Sequence, residues 1–85
     1  MKPSDIIQQY GWVQHRYGSD SDGYCLVGAV YRAFRPSAAS ENANPNIAKI
    51  LTRLRKRLGL PPTVWNDALG RTLRQVVEFL KAEGL

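Results

Sequence analysis

The sequence predicts a mainly α protein, a small single-domain bundle of three to four helices over residues 1–85, with a short β arm or hairpin near residues 12–24. Two segments carry apolar residues at helical spacing, and a third segment is apolar enough for a buried helix. Turn-forming residues separate these segments. The length of 85 residues is close to the lower limit for a self-sufficient core, which favours one domain.

The clearest helix is predicted between Pro45 and Leu58. Asn44 is a suitable cap, Pro45 suits the first helical position, and Gly59 follows the last turn. The apolar residues recur at helical spacing and form one stripe, which consists of Ile47, Ile50, Leu51, Leu54 and Leu58.

The last helix is predicted to begin with a capping box formed by Thr72 and Gln75, and to end at Gly84. Its apolar positions again have helical spacing, and they are Leu73, Val76, Val77 and Leu80. The segment LPPTVWNDALG before it is predicted to be a rigid connector. We expect Trp65 to anchor this connector to the core, with Asn66 and Asp67 as turn and capping groups.

The first helix is predicted from Ser4, taken as its cap, to Gly11. Residues 12–17 are rich in aromatic and β-branched side chains, which favour a strand, and residues 18–23 are turn formers. Since an isolated hairpin is only marginally stable, this arm must pack on helices.

The segment YCLVGAVYRAF predicts a buried helix that stops before Pro36, followed by a polar loop over residues 37–44. It contains a strip of small residues that includes Cys25, Gly28 and Ala29. We expect this strip to admit a second helix at close range, which would explain a glycine inside a helix.

The composition indicates a cytoplasmic protein without a membrane span or a cofactor. The start of the sequence has no apolar stretch typical of a secretory signal, and no segment is long and apolar enough to cross a bilayer. The single cysteine cannot form an internal disulfide, and no pair of cysteines has zinc-ligand spacing.

The stretch SDSDGYC, residues 19–25, resembles part of a calcium loop but lacks its key ligands. With Gly23 at the sixth position of an EF-hand loop, Asp20 and Asp22 fall on ligand positions. Gly18 would then be first and Ala29 twelfth, and neither side chain can bind calcium. We therefore interpret this stretch as a polar turn without a bound metal.

A minimal enzyme is the third functional hypothesis, based on Cys25 and His15. A cysteine in the first turn of a helix is activated by the helix dipole, and a nearby histidine can act as its base. The sequence indicates neither an oxyanion donor nor a group that orients His15. A small packing role for Cys25 is therefore favoured, and we expect no catalytic residue.

Charge is the most informative feature of the sequence. Acidic and basic residues balance over residues 1–46 and again over residues 59–85, so the whole net charge of +5 falls between these ranges. The candidate binding residues are the five cations of this segment, which contains no acid: Lys49, Arg53, Arg55, Lys56 and Arg57. Like charges four residues apart oppose helix formation slightly, which suggests a negatively charged partner.

Three interpretations of this basic helix remain open. It is a solvated face, a docking surface for an acidic protein, or a sequence-independent site for nucleic-acid phosphates. The first functional hypothesis is a small non-catalytic binding protein with an acidic protein partner, and nucleic-acid binding is the second. A homodimer is compatible with so small a core.

Three motifs resemble an uncharacterised family of small proteins from actinobacteria and their phages: GWVQ, DSDGYCLVGAVYRA and VWNDALGRTLRQVVEFL. The family it resembles occurs in bacteria and in phages, so a phage-encoded protein is one of the two expected origins. If the protein is phage-encoded, its acidic partner is expected to be a host protein. The resemblance implies no activity, cofactor or catalytic residue. The basic segment lies outside the shared pattern, so it is expected to be particular to this protein.

Overall fold

A computed structural model describes residues 1–34 and 45–85, which form five helices and one two-stranded hairpin. The helices are α1 (Pro3–Tyr10), α2 (Leu26–Phe34), α3 (Pro45–Leu58), α4 (Pro62–Asn66) and α5 (Leu73–Ala82). The strands are β1 (Gly18–Ser19) and β2 (Gly23–Tyr24), which pair antiparallel. This architecture confirms the predicted fold class, and α4 adds a short helix inside the predicted connector.

Helix α2 lies at the centre of the molecule and contacts α1, α3, α4 and β2, while α5 packs on α1. Its residues 26–30 are all buried, as expected from its apolar sequence. Around it the amphipathic helices contribute their apolar faces to one core, against which α4 packs Trp65. The side chains buried most completely include Ile6, Ile7, Leu26, Ile47, Leu54 and Leu80.

The predicted boundaries of α3 and α5 agree with the structure where it describes them. Pro45 is the first residue of α3, and the N–H of Gly59 donates to the Arg55 carbonyl at 2.9 Å. Thr72 and Gln75 form the reciprocal capping box of α5. The predicted cap Asn44, the stop at Pro36 and the loop at 37–44 lie outside the described residues.

The prediction of Ser4 as the cap of α1 was wrong. The helix begins at Pro3, and the residue before it, Lys2, donates its backbone N–H to the Asp5 carboxylate at 3.2 Å. Ser4 is buried within the first turn, where its hydroxyl donates to the Leu85 carbonyl at 3.0 Å. Its hydroxyl thus joins α1 to the residues after α5, a contact that local sequence cannot indicate.

The hairpin lies later in the chain than the β-rich segment 12–17 suggested. The backbone bends at residues 14–16, where His15 has a φ of +69°, so only Trp12 of that segment forms a bridge, to Tyr24. The strands themselves contain Gly18 and Gly23, both with φ above +90°. Glycine adopts this conformation without a steric penalty, which explains why the strands form at the turn-forming residues.

Gly28 brings the hairpin arm, and not a second helix, against α2. A Cβ atom at this position would lie 2.0 Å from the Tyr17 carbonyl oxygen. The same oxygen accepts a hydrogen bond from the N–H of Cys25 at 3.1 Å. At Gly28 the close neighbour is therefore the backbone of Tyr17 and not the predicted second helix.

The side chain of Asn66, at the end of α4, is fully buried and joins three segments. Its Oδ1 accepts hydrogen bonds from the Trp12 indole N–H at 2.7 Å and from the Leu26 backbone N–H at 3.0 Å. Its Nδ2 donates to the Val13 carbonyl at 3.1 Å and to the Asp67 carboxylate at 3.0 Å. Since Leu26 is the first residue of α2, Asn66 satisfies a backbone N–H that the helix itself cannot.

Neighbouring groups hold the Asn66 backbone in place. Gln14 donates from its amide to the carbonyls of Asn66 and Ala68. The Arg71 guanidinium donates to the Trp65 carbonyl at 2.9 Å and lies 3.9 Å from the centre of the Trp65 ring. Trp65 packs against the core, which agrees with its predicted role as an anchor of the connector.

Asn66→Ala is expected to lower the free energy of unfolding by about 3 kcal/mol or more, because it leaves two donors and one acceptor in the interior without partners. Urea unfolding followed by tryptophan fluorescence measures this loss. Gln9→Ala, which removes an exposed amide from α1, is the matched control and should change stability by less than about 0.5 kcal/mol. Equal stability of the two variants would contradict the role of Asn66.

Gly28→Ala is expected to destabilise the protein by about 1–3 kcal/mol, because the new methyl group collides with the Tyr17 backbone. In an open helix the same change would stabilise by about 1 kcal/mol. The control is the reverse exchange, Ala48→Gly, on the exposed face of α3. A Gly28→Ala protein more stable than the parent in thermal unfolding would rule out the close contact.

Candidate functional site

All five candidate cations lie on α3 and are exposed, but they lie on different sides of the helix and differ in their contacts. On the helix, Lys49, Arg53 and Lys56 lie on the side away from the buried Ile47 and Leu54. Arg57 lies between this side and the core, next to Arg53. Arg55 lies on the opposite flank of the apolar stripe.

Two of the five cations are engaged by the end of α5. Arg57 Nε lies 3.2 Å from Glu83 Oε1, and the Glu83 side chain is only 12% exposed. Within the described residues Glu83 Oε1 accepts no hydrogen bond. The contact with Arg57 is therefore an ion pair that lacks hydrogen-bond geometry. Arg53 donates from Nη2 to the backbone carbonyl of Glu83 at 3.0 Å. These contacts dock α3 onto the chain after α5.

The remaining cations have no acidic partner in the part of the chain that the structure describes. No carboxylate of residues 1–34 or 45–85 lies within 4.0 Å of Lys49, Arg55 or Lys56. The sequence showed the surplus of positive charge. It did not show which cations are neutralised, since that depends on how α5 is placed against α3.

Three of the five basic residues surround a shallow depression on α3 with a volume of about 420 Å³. Ala48 and Thr52, one helical turn apart, form its floor because their side chains are short. Lys49, Arg53 and Lys56 form its rim. We call these five residues the basic depression; it can accept an acidic side chain between the cations.

A smaller cavity of about 270 Å³ contains the two residues of the third hypothesis, a cysteine enzyme. Its lining includes His15, Cys25, Thr63 and Asp67. Asp67 lies beside His15, but its hydrogen bond goes to the His15 backbone and not to the imidazole. Its Oδ1 accepts from the His15 backbone N–H at 2.8 Å, and its Oδ2 lies 3.8 Å from His15 Nδ1. The His15 side chain is otherwise exposed.

The environment of Cys25 favours a packing role. Cys25 is 3% exposed, and burial raises the pKa of its thiol above the usual value. The sulfur accepts a hydrogen bond from the Gly28 N–H at 3.3 Å, which opposes this rise without cancelling it. A protonated, buried thiol is a poor nucleophile at neutral pH.

No metal site is formed by the residues that the structure describes. Within 1–34 and 45–85, no three His, Cys, Asp or Glu side chains are grouped closely enough to hold a metal ion. Asp20, which the calcium-loop comparison placed at a ligand position, instead binds the guanidinium of Arg32 at 3.1 Å. In the same part of the chain, no helix has both the length and the apolarity for a membrane crossing.

Comparison with known protein families finds a similar family. A family model described as a family of unknown function, DUF6197, matches residues 3–82 of the chain. This range includes the hairpin arm, Asn66 and the whole of α3. No curated protein and no solved structure matches the sequence.

Cys25 is expected to react slowly with a thiol reagent, because the raised pKa and the burial of its sulfur both disfavour attack. The rate at about pH 8 should increase steeply with urea, since modification would require local opening. The control is a Cys25→Ala, Thr52→Cys protein, whose exposed thiol should react rapidly without urea. Fast, urea-independent labelling of the parent would instead support a nucleophilic Cys25.

Proposed function

The chain belongs to this family, whose activity is unknown, and we propose that it is a small non-catalytic binding protein that engages an acidic protein surface through the basic depression of α3. The proposal includes a phage-encoded origin, a cytoplasmic setting and a host protein as partner. The motif resemblance and the single cysteine support these parts of it.

One observation carries the proposal: Lys49 and Lys56 flank the depression, and no acid of the described residues neutralises them. Unpaired cations around a concave surface attract a negatively charged partner and orient its approach. The short side chains of Ala48 and Thr52 leave room for a partner's carboxylate between them. Arg53 adds a third positive group at the rim.

The ion pair of Arg57 with Glu83 favours a protein over a nucleic acid as the partner. Affinity for nucleic acid rises with the number of phosphates neutralised, and this ion pair reduces the number of cations available next to the depression. The depression carries no Asn or Gln that could read a base edge, so any nucleic-acid binding there would be independent of sequence. A single acidic loop or helix needs only two or three matching charges.

The double change Lys49→Glu and Lys56→Glu is expected to weaken binding of a fluorescein-labelled oligoglutamate peptide by at least about tenfold. Both cations that the proposal requires would be replaced by glutamates, which repel the peptide. Fluorescence anisotropy at two salt concentrations measures the affinity. Arg53 and Arg57 are left unchanged, because reversing them would disrupt their contacts with Glu83 and confuse binding with folding.

The matched control carries Arg16→Glu and Lys81→Glu, which lower the net charge equally but lie outside the depression. It should retain most of the affinity for oligoglutamate. Equal weakening in both variants would show that only net charge matters and would contradict the site. Tighter binding to a single-stranded oligonucleotide of equal charge, lost in the same variant, would replace the protein partner with nucleic acid.

A further inference from the structure

We propose that a groove between β1 and α2 is a second binding site, which takes an extended, proline-containing peptide segment of a partner. The groove has a volume of about 450 Å³, a size typical of ligand sites. Tyr17, Tyr31 and Arg32 line it together with Gly18 and Gly28. It shares no lining residue with the basic depression, so this proposal does not depend on the proposed function.

The groove exists because the arm lies unusually close to α2. Gly28 lets the Tyr17 carbonyl approach the helix, and the hydrogen bond from the Cys25 N–H holds it there. Tyr31 is on α2, close to one turn after Gly28. The two tyrosine rings consequently meet at the surface, with centroids 6.4 Å apart and planes inclined by 66°.

Both rings remain accessible after this packing. Tyr17 is 62% exposed and Tyr31 is 36% exposed. Neither hydroxyl makes a hydrogen bond within residues 1–34 and 45–85. Adjacent exposed tyrosines with free hydroxyls are typical of recognition surfaces, because each offers an apolar face and a polar tip.

The charges at the groove are already neutralised, which distinguishes it from the basic depression. Arg32 Nε binds Asp20 at 3.1 Å, and the Tyr24 hydroxyl donates to the same carboxylate oxygen. The guanidinium of Arg32 also lies 5.6 Å from the centre of the Tyr10 ring. An uncharged ligand therefore fits this groove better than an acidic or a basic one.

A proline-containing segment has the required chemistry. In the polyproline II conformation it has no internal hydrogen bonds, so its carbonyls can accept from tyrosine hydroxyls. Its pyrrolidine rings pack against aromatic faces, and its ordering cost is low because the conformation is preformed. The rings of Tyr17 and Tyr31 provide the aromatic faces, and their hydroxyls provide the donors.

The test is a two-dimensional ¹⁵N–¹H NMR titration of the protein with an oligoproline peptide. Saturable shifts are expected at Gly18, Ser19 and Tyr31, and a Gly/Ser peptide of equal length should cause none. Tyr31→Ala should weaken binding by about tenfold, since an aromatic contact is lost. Tyr17→Phe and Tyr31→Phe retain the rings and should weaken it less, through loss of the hydroxyl donors.

The control variant is Val64→Ala, which shortens an exposed apolar side chain away from the groove. It should bind as the parent does, and the Lys49→Glu, Lys56→Glu protein should also bind normally. Comparable shifts with the Gly/Ser peptide, or unchanged affinity in a folded Tyr31→Ala protein, would overturn the proposal. So would a parent spectrum that stays constant at millimolar peptide, or shifts confined to α3.

Discussion

The buried amide of Asn66 is the contact on which the arrangement of the arm, α2 and α4 depends. An amide has donors and an acceptor, and in the interior each must be satisfied. Here the acceptor binds Trp12 and the first residue of α2, while the donor binds Val13. These segments must be correctly placed at the same time, because displacing any one of them leaves a buried polar group without a partner.

This constraint explains how a hairpin of two-residue strands remains ordered. Its ladder alone is too short to be stable. Asn66 fixes the start of the arm, and the contact of Tyr17 with Gly28 fixes the part that precedes β1. The ion pair of Asp20 with Arg32 then attaches the turn to α2. The arm is thus positioned by side chains and one close backbone contact, and it presents Tyr17 beside Tyr31.

The sequence predicts what depends on local pattern and misses what depends on distant partners. Pro45 and Gly59 mark the ends of α3 because their backbone preferences are local. Asn66 was interpreted as a turn residue, since asparagine is common in turns and its partner Trp12 is 54 positions away. Likewise the positive charge of α3 is visible in the sequence, but the pairing of Arg57 with Glu83 requires the packed position of α5.

The two proposed surfaces differ in the chemistry that they offer a partner. Lys49 and Lys56, which have no acidic partner among the residues that the structure describes, would attract a partner at long range. They would mainly increase the association rate, and this effect would be sensitive to salt. In the groove between β1 and α2, Arg32 is paired with Asp20, so this groove would attract a partner only at contact distance. It would mainly lower the dissociation rate of the complex. Suppose that one partner carries an acidic segment beside a proline-containing one. Binding of the acidic segment to the basic depression would then raise the local concentration of the proline-containing segment at the groove between β1 and α2. Salt would then change the rate of association more than the rate of dissociation, whereas for a partner held by charge alone salt would change both rates.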